Sequence, residues 1–564
     1  QRTDCHQQLA RIIDDWQAEN AMAIREHCRQ RFLEHVRISG ASSGTLDSEQ
    51  KEFKKLYGRG RRELEHEFGK SMRYKAIREL AAGDSGIVVR DLKPVWLMSP
   101  LSVSDTLPLA SDLFDVVIFD EASQINLEEA VPSLFRAAQT IVVGDEMQLP
   151  PTSFFATSRD DEDEIVFDED GESFQYDLNS NSFLNHAARN LASRMLGWHY
   201  RSRSERLISF SNHAFYGGKL LTVPDELLAS QADGELIAES AQDAVSAAEK
   251  MPQRPVSFHF LTHGIYENRR NTAEAEYIAE LVRCLLRQPE RRTIGIIAFS
   301  EAQQDEIERA LRRLAAEDRL FAEELDAELE REEDGQFCGL LVKNLENIQG
   351  DERDVIIMSV CYGPDPHGKV RMNFGPINQA GGEKRLNVAF SRAKHLMALV
   401  TSMRSAQITN DYNDGAACLK NYLKYAEACS AGQADVASLV LRGLSGVGTG
   451  SDRSTGQLPH TEPLIQDIAE QLRQHGYKVH TNVGQSHFRC DLAVYREGDP
   501  QYRLGILTDS QHWYDQTDLV ERELTRPALL KTFGWHIQLI HAADWYADRD
   551  TLLQSLLQQL DSCE

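Results

Sequence analysis

The segment FDVVIFDEASQ at residues 114–124 decides the fold, because an apolar run ends there in two adjacent acids. Such a run predicts a buried strand that delivers Asp120 and Glu121 to its carboxyl end, where open parallel α/β sheets bind ligands. One carboxylate of the pair can hold Mg²⁺ beside a nucleotide, and the other can polarise an attacking water. Taken alone, the segment fits a strand-terminal turn with two solvated acids equally well.

A second strand end follows in TIVVGDEMQLPPT at residues 140–152. We predict that Gly144, Asp145 and Gln148 lie beside nucleotide phosphate, and that the Gln148 carboxamide senses the γ-phosphate. The alternative is a Gly-Asp turn after a core strand. Two such strand ends so close together favour a nucleotide site over two unrelated turns.

Short apolar runs alternate with helical patterns over much of the chain, which predicts α/β domains with parallel sheets. Residues 1–80 instead show apolar positions at helical spacing, broken near SGASSG at 39–44. Strand candidates are VWLM at 95–98, TIGIIAF at 293–299, DVIIMSV at 354–360 and LMALVTS at 396–402. The predicted segments are a helical stalk at 1–84, an α/β part at 85–157, an acidic linker or insertion at 158–180, a second α/β domain at 181–444, a Gly/Ser/Thr-rich linker at 445–458 and a last α/β domain at 459–564.

The charge of the chain is uneven. The 564 residues hold 61 Lys and Arg against 88 Asp and Glu, a net charge of −27, which by itself argues against a nucleic-acid partner. Residues 159–172 hold nine acids and one Arg, residues 317–334 hold ten acids and two Arg, and we predict that both are solvated insertions. Residues 54–78 hold nine Lys and Arg against three Glu, so a nucleic-acid partner is not excluded.

Several classes of protein are disfavoured. No apolar stretch is long enough for a transmembrane helix, and no signal peptide opens the chain. The nine cysteines form no C-x-x-C pair, so neither a zinc knuckle nor an iron–sulfur ligand set is predicted. Unclustered cysteines in an odd number predict reduced thiols and a cytoplasmic protein.

The two strand ends together resemble motifs II and III of superfamily-1 helicases of the nonsense-mediated-decay and Dna2-like group. Three further segments, in the family's order, resemble the remaining motifs. They are WHYRSRSERLISFSNHAFYGGKL at 198–220 (motif IV), VKNLENIQGDERDVIIMSV at 342–360 (motif V) and RLNVAFSRAKHLMALV at 385–400 (motif VI). The resemblance covers about residues 85–430 and implies two RecA-like domains.

The resemblance implies an ATP-dependent DNA helicase or translocase that uses ATP and Mg²⁺. It places Asp120 on Mg²⁺ and makes Glu121 and Gln148 catalytic. Arg201 and Arg392 would stabilise charge on the γ-phosphoryl group, because guanidinium groups stay ionised and bind oxygen pairs. The nucleotide-binding set adds Gly144, Asp145, Gly350 and Glu352. For Arg392 alone, a surface arginine on a helix that also carries Lys394 is an equal alternative.

A phosphate-binding loop, G-x-x-x-x-G-K-[ST], should precede motif II in such a helicase. Gly69-Lys70-Ser71 is rejected as this loop, because Leu64 stands where the first glycine is needed and no apolar strand precedes it. We therefore expect the first RecA-like domain to be incomplete here, lacking its Walker A part. The missing N-terminal part of the same helicase, or a partner that supplies it, would be needed for ATP hydrolysis.

Nucleic acid is the expected partner, with DNA favoured over RNA. Lys70, Arg73 and Lys75 in the basic stretch are predicted to contact phosphates, with an ordinary solvated helical face as an equal alternative. Ser99, in VWLMSPLSV at 95–103, is a weaker candidate for a strand contact.

The last domain resembles the very-short-patch-repair-like endonucleases, which have a restriction-endonuclease-like core. Asp491 and Asp509 match two metal-binding aspartates of that fold. Leu507 and Ile465 stand where relatives carry acidic residues. Because a leucine side chain has no oxygen atom, Leu507 cannot hold a metal ion. We predict a degenerate nuclease fold that binds nucleic acid or a protein partner, in preference to an active nuclease.

Two alternative functions stay open at this point. One is a catalytically silent helicase fold that acts as a scaffold or as a regulatory nucleic-acid-binding protein, which the missing loop would permit. The other is an RNA helicase. The helicase–nuclease architecture suggests, by analogy only, a role in prokaryotic genome defence, including antiviral defence, or in repair.

Overall fold

The computed structural model describes residues 2–151, 166–167, 173–174, 182–228, 234–379, 381–444, 462–510, 513–514 and 516–562. The predicted linker at 445–458 and most of the predicted acidic segment at 158–180 lie outside these residues. The chain forms two compact units. The first comprises Gln1–Glu146 and Pro150–Ser193, and the second comprises Met147–Leu149 and Arg194–Glu564.

The first unit opens with two long helices, as the helical spacing predicts. Helix α1 spans Arg2–Gly40 and ends inside the SGASSG segment, and α2 spans Ser48–Phe68. Asp47 caps α2 by accepting a hydrogen bond from the Gln50 amide at 2.8 Å. Three short helices follow: α3 at Ile77–Ala82, α4 at Gly86–Leu92 and α5 at Pro100–Thr106.

A β-α-β element completes the first unit. Strand β1 (Phe114–Phe119) pairs in parallel with β2 (Ala137–Val142), and α6 (Leu127–Leu134) connects them. The short strands β3 (Val166–Phe167) and β4 (Ser173–Phe174) and helix α7 (Phe183–Asn190) follow. Both strand predictions are confirmed, but the strand predicted at 95–98 is wrong. That segment is non-helical chain ahead of α5, and Leu97 in it is 95% exposed.

A six-stranded, all-parallel sheet is the core of the second unit, in the order β12-β9-β13-β14-β8-β7. The central β9 and β13 are the isoleucine-rich runs predicted from sequence, and apolar clusters cover both faces of the sheet. Its elements are β5 (Trp198–His199), α8 (Arg206–Phe215), β6 (Leu221–Thr222), β7 (Leu236–Ala238), α9 (Ala244–Lys250), β8 (Val256–Leu261), α10 (Thr272–Leu286), β9 (Ile294–Ala298), α11 (Glu301–Glu317), α12 (Arg319–Leu329), β10 (Glu332–Glu333), β11 (Gln336–Phe337), β12 (Leu341–Asn344), β13 (Arg353–Ser359), α13 (Gly382–Phe390), β14 (Ala393–Thr401), α14 (Asp414–Ser430) and α15 (Ala434–Leu444).

The acidic segment at 317–334 is not the solvated insertion that its charge predicts. Helix α12 fills most of it, and Phe321 and Leu325 are buried in the sheet's apolar cover. Arg283 and Arg287 of α10 pair with Asp318, which relieves part of the like-charge repulsion. Apolar spacing therefore outweighs the charge count here.

The last part of the second unit, residues 462–562, has its own four-stranded mixed sheet in the order β15-β16-β17-β18. Its elements run in the order helix, three strands, helix, strand and two helices. The elements are α16 (Pro463–Gln474), β15 (Lys478–Val483), β16 (Cys490–Tyr495), β17 (Leu504–Thr508), α17 (Arg526–Thr532), β18 (Ile537–Ile540), α18 (Ala542–Ala547) and α19 (Arg549–Ser562). We call these residues the C-terminal domain. None of the described helices is long and apolar enough to cross a membrane.

Candidate functional site

In the first unit, the ends of β1 and β2 lie side by side. The Val143 amide donates to the Phe119 carbonyl at 2.8 Å, and the Ala122 amide donates to the Val143 carbonyl at 3.0 Å. Gly144 belongs at this point because a Cβ there would stand 3.1 Å from the amide nitrogens of Ala122 and Ser123. The missing side chain therefore lets the two strand ends approach.

Asp120 and Glu121 follow β1 as predicted, and both side chains are exposed. Glu121 has a left-handed backbone (φ 53°, ψ 39°), and the Asp120 Oδ1 accepts a hydrogen bond from the Glu121 amide at 2.9 Å. Asp145 follows Gly144 and is half-buried in the same unit, whereas Gln148 belongs to the second unit. Exposed carboxylates at a strand end are the oxygen ligands that Mg²⁺ prefers, so this donor set fits Mg²⁺-nucleotide.

In the second unit, the predicted motifs IV, V and VI meet at one place. The Arg201 Nε donates to Glu352 Oε2 at 2.6 Å, and Arg201 Nη1 donates to the Ser391 carbonyl at 3.3 Å. The Lys394 Nζ lies 2.8 Å from the other oxygen of Glu352. Partial burial alone would raise the pKa of Glu352, but Lys394 and Arg201 outweigh it and hold that pKa below its ordinary value. A carboxylate thus sits between two half-buried cations.

Gly350 shapes the turn that presents Glu352. Its φ is +89°, a conformation that favours glycine, and no atom would obstruct a Cβ there. The Asp351 amide closes the turn onto the Ile348 carbonyl at 3.2 Å. The predicted Gly350 is therefore needed for its backbone conformation.

Arg392 lies buried directly after α13. It is 3% exposed, its Nε donates to the Val388 carbonyl at 2.8 Å, and its Nη1 donates to the Asp351 carbonyl at 3.4 Å. The side chain bonds the end of α13 and the motif V turn in this structure. The alternative of a surface arginine is wrong, because Arg392 is buried, and its catalytic role stays a prediction.

Sequence reasoning missed two groups of this cluster. Lys394 is not among the predicted site residues, although it follows Arg392 by two residues and reaches Glu352. The Nε2 of His199 accepts a hydrogen bond from the Ser202 amide at 3.2 Å, which closes the loop that carries Arg201. Burial, aided by the charges of Arg201 and Arg392, lowers the pKa of His199 to about 4, so the ring is neutral and can accept. The sequence WHYRS at 198–202 does not indicate that the His199 ring accepts a hydrogen bond from the Ser202 amide.

The predicted nucleic-acid residues belong to the first unit. Lys70 and Lys75 are paired with Glu67 and Glu63, the latter pair at 2.6 Å, whereas Arg73 is exposed. Gly69 caps the end of α2, which agrees with rejecting Gly69-Lys70-Ser71 as a phosphate loop. Ser99 caps α5 by accepting from the Ser102 amide at 3.2 Å.

In the C-terminal domain, both predicted metal-binding aspartates accept hydrogen bonds from other groups of the protein. The Asp491 Oδ2 accepts from the Thr508 amide at 2.6 Å and from the Thr508 hydroxyl at 3.0 Å. The Asp509 Oδ1 accepts from the Ala542 amide at 2.6 Å, at the start of α18. Leu507 is 2% exposed in an apolar cluster. Across the described residues, no group of three or more His, Cys, Asp or Glu is arranged to hold a metal ion.

Comparisons with known proteins assign families to most of the chain. Two family models described as AAA domains, AAA_11 and AAA_12, match residues 3–155 and 179–404. A third, REase_MTES_1575, matches residues 465–560 in the C-terminal domain.

Curated relatives point the same way. The "Uncharacterized ATP-dependent helicase MG140" of Mycoplasma genitalium is 34% identical over 62% of this chain and 28% of its own length. "Helicase sen1" of Schizosaccharomyces pombe is 26% identical over 52% of this chain and 15% of its own. The "DNA replication ATP-dependent helicase/nuclease JHS1" of Arabidopsis thaliana is 24% identical over 61% of this chain and 23% of its own. The chain therefore spans less than a third of the length of each of these relatives.

Proposed function

The chain belongs to the superfamily-1 helicases of the Sen1/Dna2-like group, and from that premise we propose that it forms part of an ATP-dependent DNA helicase or translocase. The observation that carries the proposal is the meeting of Arg201, Glu352 and Lys394 from three separate motifs. Fixed cations of this kind stabilise charge that develops on a transferring phosphoryl group. When bound, Mg²⁺ would neutralise charge on the nucleotide oxygens, with Asp120 as the residue to hold it.

Glu121 is the group proposed to orient and polarise the attacking water. Its left-handed backbone at the end of β1 turns the chain sharply, and its side chain is exposed. Such strain at an exposed strand end is common at functional sites. Gln148 and Arg392 remain proposed catalytic groups, and Arg392 would have to leave its carbonyl partners to contact nucleotide.

The parallel pair β1 and β2 is proposed to receive further strands from polypeptide outside this sequence, either another part of the same helicase or a partner. Ile118 and Ile141 face each other across the pair and are 65% and 43% exposed. Parallel sheets are normally covered on both faces, so exposed isoleucines in register support this. A G-x-x-x-x-G-K-[ST] loop on those strands would complete phosphate binding.

DNA is the proposed nucleic acid, supported by the name of the Arabidopsis relative, a DNA replication helicase/nuclease. A role in genome defence or repair rests on the fused architecture alone. The cytoplasm is proposed because the seven cysteines whose side chains the structure describes are free thiols.

ATPase activity stimulated by a nucleic-acid strand tests the proposal. The full-length protein is assayed with single-stranded DNA and with single-stranded RNA, as wild type and as Glu121→Gln. Loss of the carboxylate should lower kcat about a hundredfold or more, as for removal of a general base. Glu129→Gln, an exposed glutamate of α6, is the matched control and should retain wild-type kcat.

The outcomes separate the alternatives. Stimulation by DNA supports the proposal, and stimulation by RNA alone supports an RNA helicase. A wild type that binds nucleic acid without any ATP turnover supports the silent scaffold. The buried Arg392, bonded to backbone carbonyls, is the observation that favours the scaffold.

A further inference from the structure

The C-terminal domain packs on the segment at 197–228, which carries motif IV. The backbone pairs directly: the Leu228 amide donates to the Pro500 carbonyl at 3.1 Å, and the Tyr502 amide donates to the Glu226 carbonyl at 2.9 Å. An apolar cluster at this contact includes Val223 from the segment and Trp535 from the domain. The Trp535 indole also donates to the Pro224 carbonyl at 2.9 Å. The interface thus combines apolar packing with hydrogen bonds.

The loop around Arg201 is held by this domain on both sides. Before it, the Trp198 indole donates to Glu521 Oε1 at 2.5 Å and meets the Phe488 ring edge-on at 5.2 Å. After it, the Arg203 guanidinium lies 4.6 Å from the centre of the Phe533 ring. Arg201 itself points instead to Glu352 and Ser391. Contacts of Trp198 and Arg203 with the C-terminal domain therefore lie on either side of Arg201 in the sequence.

A buried carboxyl group joins the same two parts. Glu205, 4% exposed, accepts hydrogen bonds from the Gln485 amide at 3.0 and 3.1 Å and from the Thr222 hydroxyl. The Ser209 hydroxyl donates to Gln485 Oε1 at 2.5 Å. A buried polar group without partners is costly, so the C-terminal domain completes hydrogen bonding that the motif IV helix needs.

We propose that the restriction-endonuclease-like domain is a positioning element of the ATPase, which holds residues 198–205 so that Arg201 is presented beside Glu352 and Lys394. The inference rests on the proposed function and extends it. Phe533, Glu521 and Gln485 become positioning residues that act through Arg201 and touch no substrate. It also gives the domain a role that needs no nuclease chemistry.

A double-mutant cycle on Arg203 and Phe533 in the full-length protein tests this inference. Arg203→Ala and Phe533→Ala should each lower the strand-stimulated kcat about fivefold, while KM for ATP changes less than about twofold. The double variant should lose less than the sum of the two single losses, because both substitutions remove the Arg203–Phe533 contact, while Arg203→Ala also removes the hydrogen bond from its Nη1 to the Thr532 carbonyl. Arg496→Ala is the matched control, since Arg496 lies 4.6 Å from the centre of the Tyr477 ring in the same domain.

Amide hydrogen exchange of residues 198–205 without nucleotide is the second measurement. Phe533→Ala should accelerate exchange there, and Arg496→Ala should not. Faster exchange with unchanged kcat, or unchanged exchange, would overturn the inference. Additive losses in the cycle would also overturn it. A wild type without ATPase activity would instead overturn the proposed function, and it is recognised before any variant is compared.

Discussion

Burial raises the pKa of three carboxyl groups in the second unit. The pKa of Glu274 rises to about 7 and that of Asp491 to about 6, and the pKa of Glu205 rises well above its ordinary value. Desolvation is the largest cause in each case, and hydrogen bonds to the charged form recover only part of it. Glu205 also faces Asp225, which is buried beside Arg206. These groups make the stability of the fold depend on pH.

We predict that the free energy of unfolding of the Glu205→Gln variant falls less with rising pH than that of the wild type. The unfolded chain ionises this carboxyl near 4.5, whereas burial raises its pKa in the folded chain, so unfolding becomes easier as pH rises above 4.5 towards the folded pKa. Glutamine resembles the protonated carboxyl and does not ionise. Thermal unfolding at pH 5 and pH 8 should show a smaller fall in Tm for the variant than for the wild type.

Glu129→Gln, at an exposed position, controls for the charge change. An equal fall in Tm for Glu205→Gln and the wild type would contradict the assignment to Glu205. The neutral His199 acts in the opposite direction, since its lowered pKa costs stability as pH falls from 6.5 towards 4.

At the scale of elements, Gly350 in the turn before β13 gives a second prediction. Gly350→Ala should destabilise the fold by about 1 kcal/mol, because an L-residue is strained at positive φ. It should also lower kcat, since the turn presents Glu352 to Arg201. Gly443→Ala in α15 is the control, because no atom obstructs a Cβ at either position and only Gly350 has a positive φ. Chemical denaturation measures both variants.

Gly443→Ala should be neutral or stabilising by about 0.5 kcal/mol, as expected for glycine replaced in a helix. Equal effects of the two substitutions would show that the backbone conformation of Gly350 does not matter.

Elements with strong apolar patterns could be predicted from sequence, and weaker patterns could not. The apolar runs in β1, β13 and β14 form strands as predicted, but only β13 and β14 are buried, whereas β1 is largely exposed. The segment at 95–98 is equally apolar but forms no strand, since an apolar run alone does not supply strand partners. In α12, Phe321 and Leu325 carry a helical spacing that the surrounding acids obscured.

The candidate site likewise contains residues that the sequence could predict and contacts that it could not. Motif spacing indicated Glu121, Arg201 and Glu352, because each follows or precedes a recognisable strand or motif. It could not indicate that Arg392 turns to backbone carbonyls, which depends on the local packing of α13. Nor could it indicate that Gln485 reaches Glu205, since those residues are 280 positions apart.

At the scale of the whole molecule, a restriction-endonuclease-like domain follows the domains that match the helicase family. Asp491 is half-buried and accepts two hydrogen bonds from Thr508, and Asp509 caps α18, so both candidate ligands already have structural roles. Leu507 lies between them in sequence and adds no oxygen ligand. A domain that supports motif IV would be retained for its packing, whatever its catalytic state.

We therefore predict that the full-length protein does not cleave DNA when Mg²⁺ or Mn²⁺ is added, and that Asp491→Ala acts on stability. The substitution leaves the Thr508 amide and hydroxyl without their buried acceptor, which should cost about 1–3 kcal/mol. Conversion of supercoiled plasmid to nicked or linear forms measures cleavage, and chemical denaturation measures stability. Asp544→Ala, at an aspartate of α18 outside the predicted metal set, controls for the loss of a carboxylate. Metal-dependent cleavage by the wild type that disappears in Asp491→Ala and persists in Asp544→Ala would show that the nuclease site is functional. Another residue of the chain would then have to supply the metal ligand that Leu507 cannot provide.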